Sequence, residues 1–292
     1  MKICVSCHKR FDSQGWQCPA CHAKPEMLDG FYSFAPSLAE NNDGFNVSEF
    51  AKLAPLEAQN FWFRSRNKLI VWVLSQYFST ISSFLEIGCG TGYVLSGIER
   101  AFPGLRLSAS DIYVSGLQFA KSRVERSGLF QMDARDMPFE SEFDVIGAFD
   151  VLEHIADDEK VLSEMNRAVK PGGGIVLTVP QHEFLWSQAD TQACHVRRYR
   201  ALDLREKVKR AGFTVEFSTS FVFFLLPLML FSRLRQLAPN SKYDQFAELT
   251  VGRFTNGILE KVLGLEHLLI RGGVRFPAGG SLLLVARKKA EV

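Results

Sequence analysis

The 292-residue sequence predicts an α/β fold built around a doubly wound sheet. Two observations carry that expectation. Strand-like and helix-like stretches alternate from about residue 84 to residue 220, which is how parallel strands joined by helices read in a sequence. One of those strands, Phe84-Leu85-Glu86-Ile87, runs directly into Gly88, Gly90 and Gly92, and a helix-like stretch follows over 93–100. A strand that ends in glycines and feeds a helix lets a ligand approach the backbone at the helix N-terminus. Glu86 stands immediately before the loop, where its carboxylate disfavours a pyrophosphate and favours a cationic ligand. The hydrophobic fraction of 47% is enough for a sizeable core, and a net charge of only +2 implies no bulk attraction to nucleic acid.

From the N-terminus, residues 1–25 hold four of the six cysteines as C-x2-C, ten residues, C-x2-C: Cys4, Cys7, Cys18 and Cys21. Two such knuckles bring four thiolates together tetrahedrally, which suits a structural Zn2+ with no position left for water. His8 and His22 adjoin the ligands but are not needed to close the site. A disulfide pair competes with zinc, but residues 1–7 show no apolar run of an export signal, and the cytosol keeps thiols reduced. Cys89 and Cys194 read as small apolar fillers. Residues 26–54, with Gly30, Pro36, Gly44 and the run Asn41-Asn42-Asp43, read as a linker. Pro55 is placed to open a helix that carries Phe61-Trp62-Phe63-Arg64-Ser65-Arg66 and an apolar face of Leu69, Ile70, Val73 and Leu74.

Residues 105–110 alternate as a second strand that ends at Asp111, an acid about 20 residues past the glycines and placed to accept from ribose hydroxyls. Residues 143–149 form a further strand, followed by Asp150-Val151-Leu152-Glu153-His154-Ile155, and Lys170-Pro171-Gly172-Gly173-Gly174 turns into a strand over 175–179. The next loop contains His182 and then His195-Val196-Arg197-Arg198-Tyr199-Arg200. A helix over 202–211 and a strand over 213–218 come next. Arg197 and Arg198 could clamp an anion, and His195 or Tyr199 could take a proton from an acceptor hydroxyl; for His182 a turn role is the plainer reading. About 60 residues then precede the last strand at 280–287, too many for a structureless loop. This 221–275 insertion opens with the apolar run 221–231, which is too short to span a bilayer. Phe246, Leu249, Phe254, Ile258, Val262, Leu265 and Leu269 follow at helical spacing. Those helices are expected to pack on one another and roof the site; the rival is a lipid-facing surface.

The glycine loop with its preceding Glu86, the Asp111 strand end, Gln131-Met132-Asp133-Ala134-Arg135-Asp136-Met137-Pro138-Phe139 and the Lys-Pro-Gly-Gly-Gly turn together resemble the motifs of class I S-adenosylmethionine (SAM)-dependent methyltransferases. The resemblance covers roughly 55–220 and the last strand. It implies a Rossmann-like sheet of order 3-2-1-4-5-7-6 with strand seven antiparallel, and a methyltransferase domain over 55–220 and 276–292. It further implies that Glu86, Gly88, Gly90, Gly92 and Asp150 meet the methionine end of SAM, Asp111 the ribose, and Asp133 with Ala134 the adenine. Asp150, Glu153 and His154 resemble the E-x-x-E-H of ubiquinone-pathway O-methyltransferases, where the triplet holds a divalent metal; a role for Asp150 at the cofactor is favoured here, and His154 joins His195 and Tyr199 as a candidate catalytic residue.

For the acceptor, the insertion and the His-x-Arg-Arg-Tyr stretch resemble those of bacterial methyltransferases acting on small or lipid-linked molecules. They imply a role in envelope, polysaccharide or isoprenoid metabolism. The expected location is cytoplasmic, with peripheral contact at the inner membrane through 221–235. The rival acceptor is RNA, because ribosomal guanine methyltransferases also carry an N-terminal zinc ribbon; Lys2, Lys9, Arg10 and Lys24 give a modest basic set, and Trp16 could stack on a base. A third reading is a SAM-binding interaction protein without turnover.

Overall fold

The computed structural model describes residues 1–13, 15–39, 47–236 and 249–290. In chain order its elements are β1 (Lys2–Ile3), β2 (Arg10–Phe11), β3 (Glu26–Leu28), β4 (Phe31–Ser33), α1 (Glu49–Glu57), α2 (Phe61–Tyr77), β5 (Ser83–Ile87), α3 (Tyr93–Ala101), β6 (Arg106–Asp111), α4 (Val114–Arg123), β7 (Gly128–Gln131) and β8 (Phe143–Phe149). There follow α5 (Asp158–Ala168), β9 (Val169–Pro180), α6 (Gln188–Gln192), α7 (Ala201–Arg210), β10 (Phe213–Phe221), α8 (Leu226–Gln236), α9 (Arg253–Arg271) and β11 (Ser281–Lys288).

The main sheet runs β10-β11-β9-β8-β5-β6-β7-β4-β3. Its first seven strands reproduce the expected order, with β5 as strand one. β11 is antiparallel to both β9 and β10, while β5 through β9 pair in parallel. The central strands are buried on both faces. Phe84, Val145 and Val176 point to a layer containing α2, α3 and α4, and Leu85, Ile87, Ile146 and Leu177 point to one containing α5 and α7. Side chains alternate along a strand, so Glu86 faces the same layer as Phe84, toward α2.

Two expectations for the segment before the sheet do not hold. Residues 26–33 are not linker: β3 and β4 form a hairpin that extends the sheet, Tyr32 and Ser33 pairing in parallel with Phe130 and Gln131 of β7. The turn is Asp29-Gly30, with φ of 49° and 85°, the positive pair that a two-residue hairpin turn demands and that Asp-Gly readily supplies. Pro55 does not open the aromatic helix. It lies inside α1, and α2 starts after Asn60, whose side chain accepts from Trp62 N at 2.8 Å.

The N-terminal ribbon is built on the body of the sheet. Ile3 N donates to Pro138 O and Glu140 N to Met1 O, both at 3.0 Å. Trp16 packs among Phe34, Phe130 and Phe139, with ring centroids 4.4, 6.1 and 5.5 Å away, and the Lys2 ammonium lies 4.8 Å from its centroid. That ring is therefore spent on docking the ribbon and is not held out for a base. Arg10 is ion-paired with Glu140, which further depletes the basic set proposed for RNA.

The insertion lies at the carboxyl end of the parallel strands. β10 leaves the sheet there, and Ser281, where β11 re-enters, pairs with Pro180 at the end of β9. α9 packs on α2: Asn256 Oδ1 accepts from Phe61 N at 2.8 Å, and Glu260 meets Arg64 and Lys68. Buried Glu266 accepts from Val222 N and Phe224 N, pinning the turn into α8, where Val222 has φ of 63°. The expected mutual packing of the insertion's apolar residues is only half realised. Leu263 and Ile270 are buried, but Phe254, Ile258, Leu265, Leu268 and Leu269 face solvent, as do Leu228 and Phe231 of α8. Within the run 221–231, Phe221, Val222 and Leu225 are core. Phe246 lies outside the described residues.

Candidate active site and ligand clusters

The glycine loop departs from β5 with φ of 64° at Gly88, 49° at Gly90 and 74° at Gly92, the left-handed region that glycine adopts without penalty. At Gly92 the space is also closed: a Cβ would stand 2.8 Å from the Ala120 backbone, so α3 and α4 meet here only because there is no side chain. Asp111, at the end of β6, stitches the loop in place. Its Oδ2 accepts from Gly90 N at 2.7 Å and its Oδ1 from Tyr113 N at 2.9 Å. Burial raises Asp111 to about 6 against the pull of those donors. A carboxylate has about four acceptor sites, so two remain for hydroxyls.

Glu86 is fully buried and its Oε2 has no hydrogen-bond partner. Burial pushes its pKa up to about 8, with Arg66 acting in the opposite direction. Arg66, from α2, forms an ion pair with Asp150 and stacks against Trp62 at 4.5 Å, and its Nε also lacks a partner. Glu86, Arg66 and Asp150 thus bring two acids and one cation to the end of β5 and β8, with hydrogen-bonding capacity unspent. That set suits the ammonium and carboxylate of an amino acid. Asp150 itself has φ of 59° and donates its N–H to Thr178 O at 2.9 Å.

α1 and α4 close over the loop. Phe50 lies 3.5 Å from where a Cβ on Gly90 would be. Glu57 accepts from Thr91 Oγ1 at 2.7 Å and pairs with Arg123, which also donates to Thr91 Oγ1 at 2.9 Å and to Ala54 O at 2.6 Å. Asp133 is held by Arg135 through paired contacts of 2.7 and 3.0 Å, and Ala134 packs beside it on the α5 layer. Glu57, Arg66 and Arg123 were not anticipated as site residues. A buried acid or Arg whose partner lies 32 to 84 residues away leaves no local pattern, and in the sequence Arg66 stands only as part of an aromatic face.

The loop beyond β9 behaves differently from expectation. Tyr199 is buried and its hydroxyl donates to Asp158 Oδ2 at 2.6 Å; burial and that acid hold the phenol well above its ordinary range, so it is not poised as a base. Arg197 is paired with the same Asp158 at 2.7 Å, and Arg198 forks onto Asp190 at 2.7 and 3.0 Å. Neither guanidinium is free to clamp a substrate anion, because both neutralise internal carboxylates. His182 stacks on Phe184 at 4.9 Å in a residue of positive φ, a turn role.

His195 and His154 do come together, with ring centroids 4.7 Å apart. Asp190 Oδ1 holds His195 Nδ1 at 2.9 Å. His154 is kept neutral, near 3, by burial and by His195. Glu153 lies with them, fully buried, and burial raises its carboxyl well above the usual range. One ligand atom from each of Glu153, His154 and His195 falls within 4.8 Å of the others. Asp150, which the D-x-x-E-H spacing had grouped with them, is drawn away by Arg66.

The four ribbon sulfurs also lie within 4.8 Å of one another. The two knuckles repeat each other: His8 N donates to Cys4 O and His22 N to Cys18 O, both at 2.9 Å, and Ser6 N and Ala20 N each reach a cysteine sulfur at 3.4 Å. The Cys7 and Ser6 backbone N–H groups and the neighbouring thiols lower the Cys4 thiol against burial, while those neighbours raise that of Cys21. All six cysteines are free.

Comparison with known proteins agrees with this geometry. The profile of a methyltransferase domain family matches residues 85–177, from the glycine loop through β9. A Mycolicibacterium smegmatis protein described as "Probable S-adenosylmethionine-dependent methyltransferase" is 26% identical over 166 residues, 55% of this chain and 62% of that protein. A Mycobacterium tuberculosis protein of the same description is 27% identical over 197 residues, 62% of this chain and 70% of its own length. The fold is shared with a chain of the complex that contains the Haloferax volcanii Trm112 methyltransferase activator, at 18% identity and TM-score 0.55 over 84% of this chain and 98% of that one. It is shared also with Haemonchus contortus phosphoethanolamine N-methyltransferase 2 bound to SAM, at 22% identity and TM-score 0.52 over 76% and 52%. The chain therefore contains a methyltransferase domain, over residues 85–177, and has the fold of the class I SAM-dependent methyltransferases.

Proposed function

We propose that this protein transfers the methyl group of SAM to a lipid-linked or membrane-partitioned acceptor, of the kind used in bacterial envelope, polysaccharide or isoprenoid metabolism. The cofactor assignment rests on the unspent groups at the end of β5 and β8. Arg66 would bind the methionine carboxylate, Glu86 and Asp150 its ammonium, Asp111 the ribose hydroxyls, and Asp133 with Ala134 the adenine edge. When bound, SAM supplies an electrophilic methyl. The chain's task is to hold an acceptor atom in line with it and keep water out, and such positioning can supply much of the rate. His154 and His195 flank the acceptor side beyond β8 and β9 and would meet its polar end.

The observation that carries the lipid reading is the outward apolar stripe of α9. Phe254, Ile258, Leu265 and Leu268 recur along one face of the helix and stay exposed, with Lys261 on the same face and Arg253 and Arg271 beside it. The acids of α9 are turned away, Glu260 into its pairs on α2 and Glu266 into the turn before α8. A helix of this kind suits the surface of an anionic bilayer. It also sits on the insertion, at the same end of the sheet as Glu86. No helix among the described residues is long and apolar enough to cross a membrane. The ribbon cysteines suit a structural Zn2+, and its docking through Trp16 favours a scaffolding role over RNA recognition.

Labelled SAM mixed with the protein and a host lysate tests this reading. Methyl label is expected in the lipid or small-molecule fraction and absent with Asp111→Ala. Label confined to RNA would transfer the recognition role to the ribbon.

A further inference from the structure

Among the described residues, buried polar atoms without hydrogen-bond partners concentrate at the ends of β8 and β9. Both carboxylate oxygens of Glu153, Nδ1 of His154, Oγ1 of Thr178, both amide atoms of Gln181 and Nε2 of His182 are of this kind. Glu153 is the most demanding of them, because a fully buried carboxylate with neither oxygen paired is costly as an anion. Arg66 and Arg198 act on it electrostatically, but their hydrogen bonds go to Asp150 and Asp190. The group is nevertheless held in place. It lies in a single turn of 3-10 helix, Leu152–His154, and its backbone carbonyl accepts from Val196 N at 2.8 Å. That bond brings the neighbouring His195 onto it.

We propose that Glu153, His154 and His195 form a binding site for one divalent transition-metal ion, separate from the cysteine site of the ribbon. Ligands of one such ion, each about 2.0–2.2 Å from it, stand at most about 4.4 Å apart, so the three ligand atoms, within 4.8 Å of one another, need only a small side-chain rotation to share it. The two rings stand nearly perpendicular, at 84°, so their lone pairs can converge from different directions. The second layer is also present. Asp190 fixes His195 through Nδ1 and so leaves Nε2 as the ligand atom, the carboxylate–histidine arrangement by which proteins orient imidazole toward a metal. Asp190 is itself locked by Arg198 and by the backbone and hydroxyl of Ser187. Two imidazoles and one carboxylate suit Mn2+, Fe2+, Co2+ or Zn2+ better than the all-oxygen preference of Ca2+ or Mg2+. On the methyltransferase reading above, an ion here would polarise an acceptor hydroxyl rather than leave the histidines as free bases.

Metal binding is measured on the full chain, without turnover, so the result is independent of the acceptor. Mn2+ is the probe, because thiolates bind it poorly and the ribbon does not compete. Loss of the free-ion Mn2+ resonance is expected to show about one Mn2+ per chain in the wild type, with affinity lowered at least about 10-fold in Glu153→Gln and in His195→Ala. Asp190→Asn, which leaves the ligands in place, is expected to weaken it about 10-fold or more. Glu153 is buried and its variant could fail to fold; His195→Ala then carries the test, with retained SAM binding as its control. Wild-type protein that immobilises no Mn2+ and carries no metal beyond that of the cysteines would overturn the proposal. So would variants that bind as tightly as wild type.

Discussion

Glu86 offers the sharpest test of the cofactor pocket, because a single substitution should move two quantities in opposite directions. In the free protein its carboxyl is raised from 4.5 to about 8, chiefly by burial. The folded state therefore binds a proton that the unfolded state releases above about 4.5, so this group destabilises the fold progressively as pH rises from about 4.5 to about 8. At about 1.4 kcal/mol per pH unit, the ceiling on that penalty is about 5 kcal/mol above pH 8. Glu86→Gln removes it, so the variant should match wild type near pH 4 and exceed it in denaturant stability by some kcal/mol at pH 8. SAM binding should change the other way. At pH 7 a group with a pKa near 8 is about 90% protonated, and a neighbouring ammonium would ionise it, so binding should release up to about 0.9 proton per SAM. Titration calorimetry in buffers of different ionisation enthalpy reads that proton directly. The variant should release almost none and bind at least about tenfold more weakly, as expected for a lost charge-assisted hydrogen bond. Equal affinity and equal proton release in wild type and Glu86→Gln would refute the assignment of Glu86 to the methionine end.

Further outcomes follow from the same structure. Arg123→Ala strands Glu57 in a buried site and should cost about 3–5 kcal/mol in denaturant unfolding, with Glu57→Gln/Arg123→Met together costing less than either single change. On the reading that the four ribbon cysteines hold Zn2+, Cys4→Ser should lose that metal and release Trp16 from its aromatic cluster, seen as a red-shifted emission component, while SAM binding by the rest of the chain persists. Flotation of the protein with anionic vesicles should survive high salt in its apolar part and fall to background in Phe254→Asp/Leu265→Asp, whose unchanged melting would show that the fold is intact.

The parallel sheet was legible because its signals are local. The glycine loop, the acid at the strand end and the helix–strand alternation each sit within one stretch of sequence, and β5, β6 and β8 fall where they point, whereas β7 gave no strand signal and β9 begins at Val169, through the glycines read as a turn. The hairpin at 26–33 was missed because two three-residue strands next to Gly and Pro punctuation look like a linker; their pairing partner, β7, is about a hundred residues away. The same blindness to distance affected the loop after β9. His195, Arg197, Arg198 and Tyr199 read as a surface cluster, yet Asp158 and Asp190 take up both guanidiniums and the phenol, and His195, itself held by Asp190, joins Glu153 and His154. The helical spacing of Phe254, Ile258, Leu265 and Leu269 correctly indicated a helix. Periodicity fixes which residues share a face, but not whether that face turns inward, and here it turns out.

On the proposed function, the methyl group goes to an acceptor met at a membrane surface. The most direct measurement incubates methyl-labelled SAM with membranes of the host and three proteins: wild type, Asp111→Ala and Phe254→Asp/Leu265→Asp. Label is expected in extracted lipid with the wild type, with none for Asp111→Ala and strongly reduced labelling for the surface variant despite normal SAM binding. Label that appears only in RNA or protein, or lipid labelling that the surface variant performs as well as wild type, would contradict it.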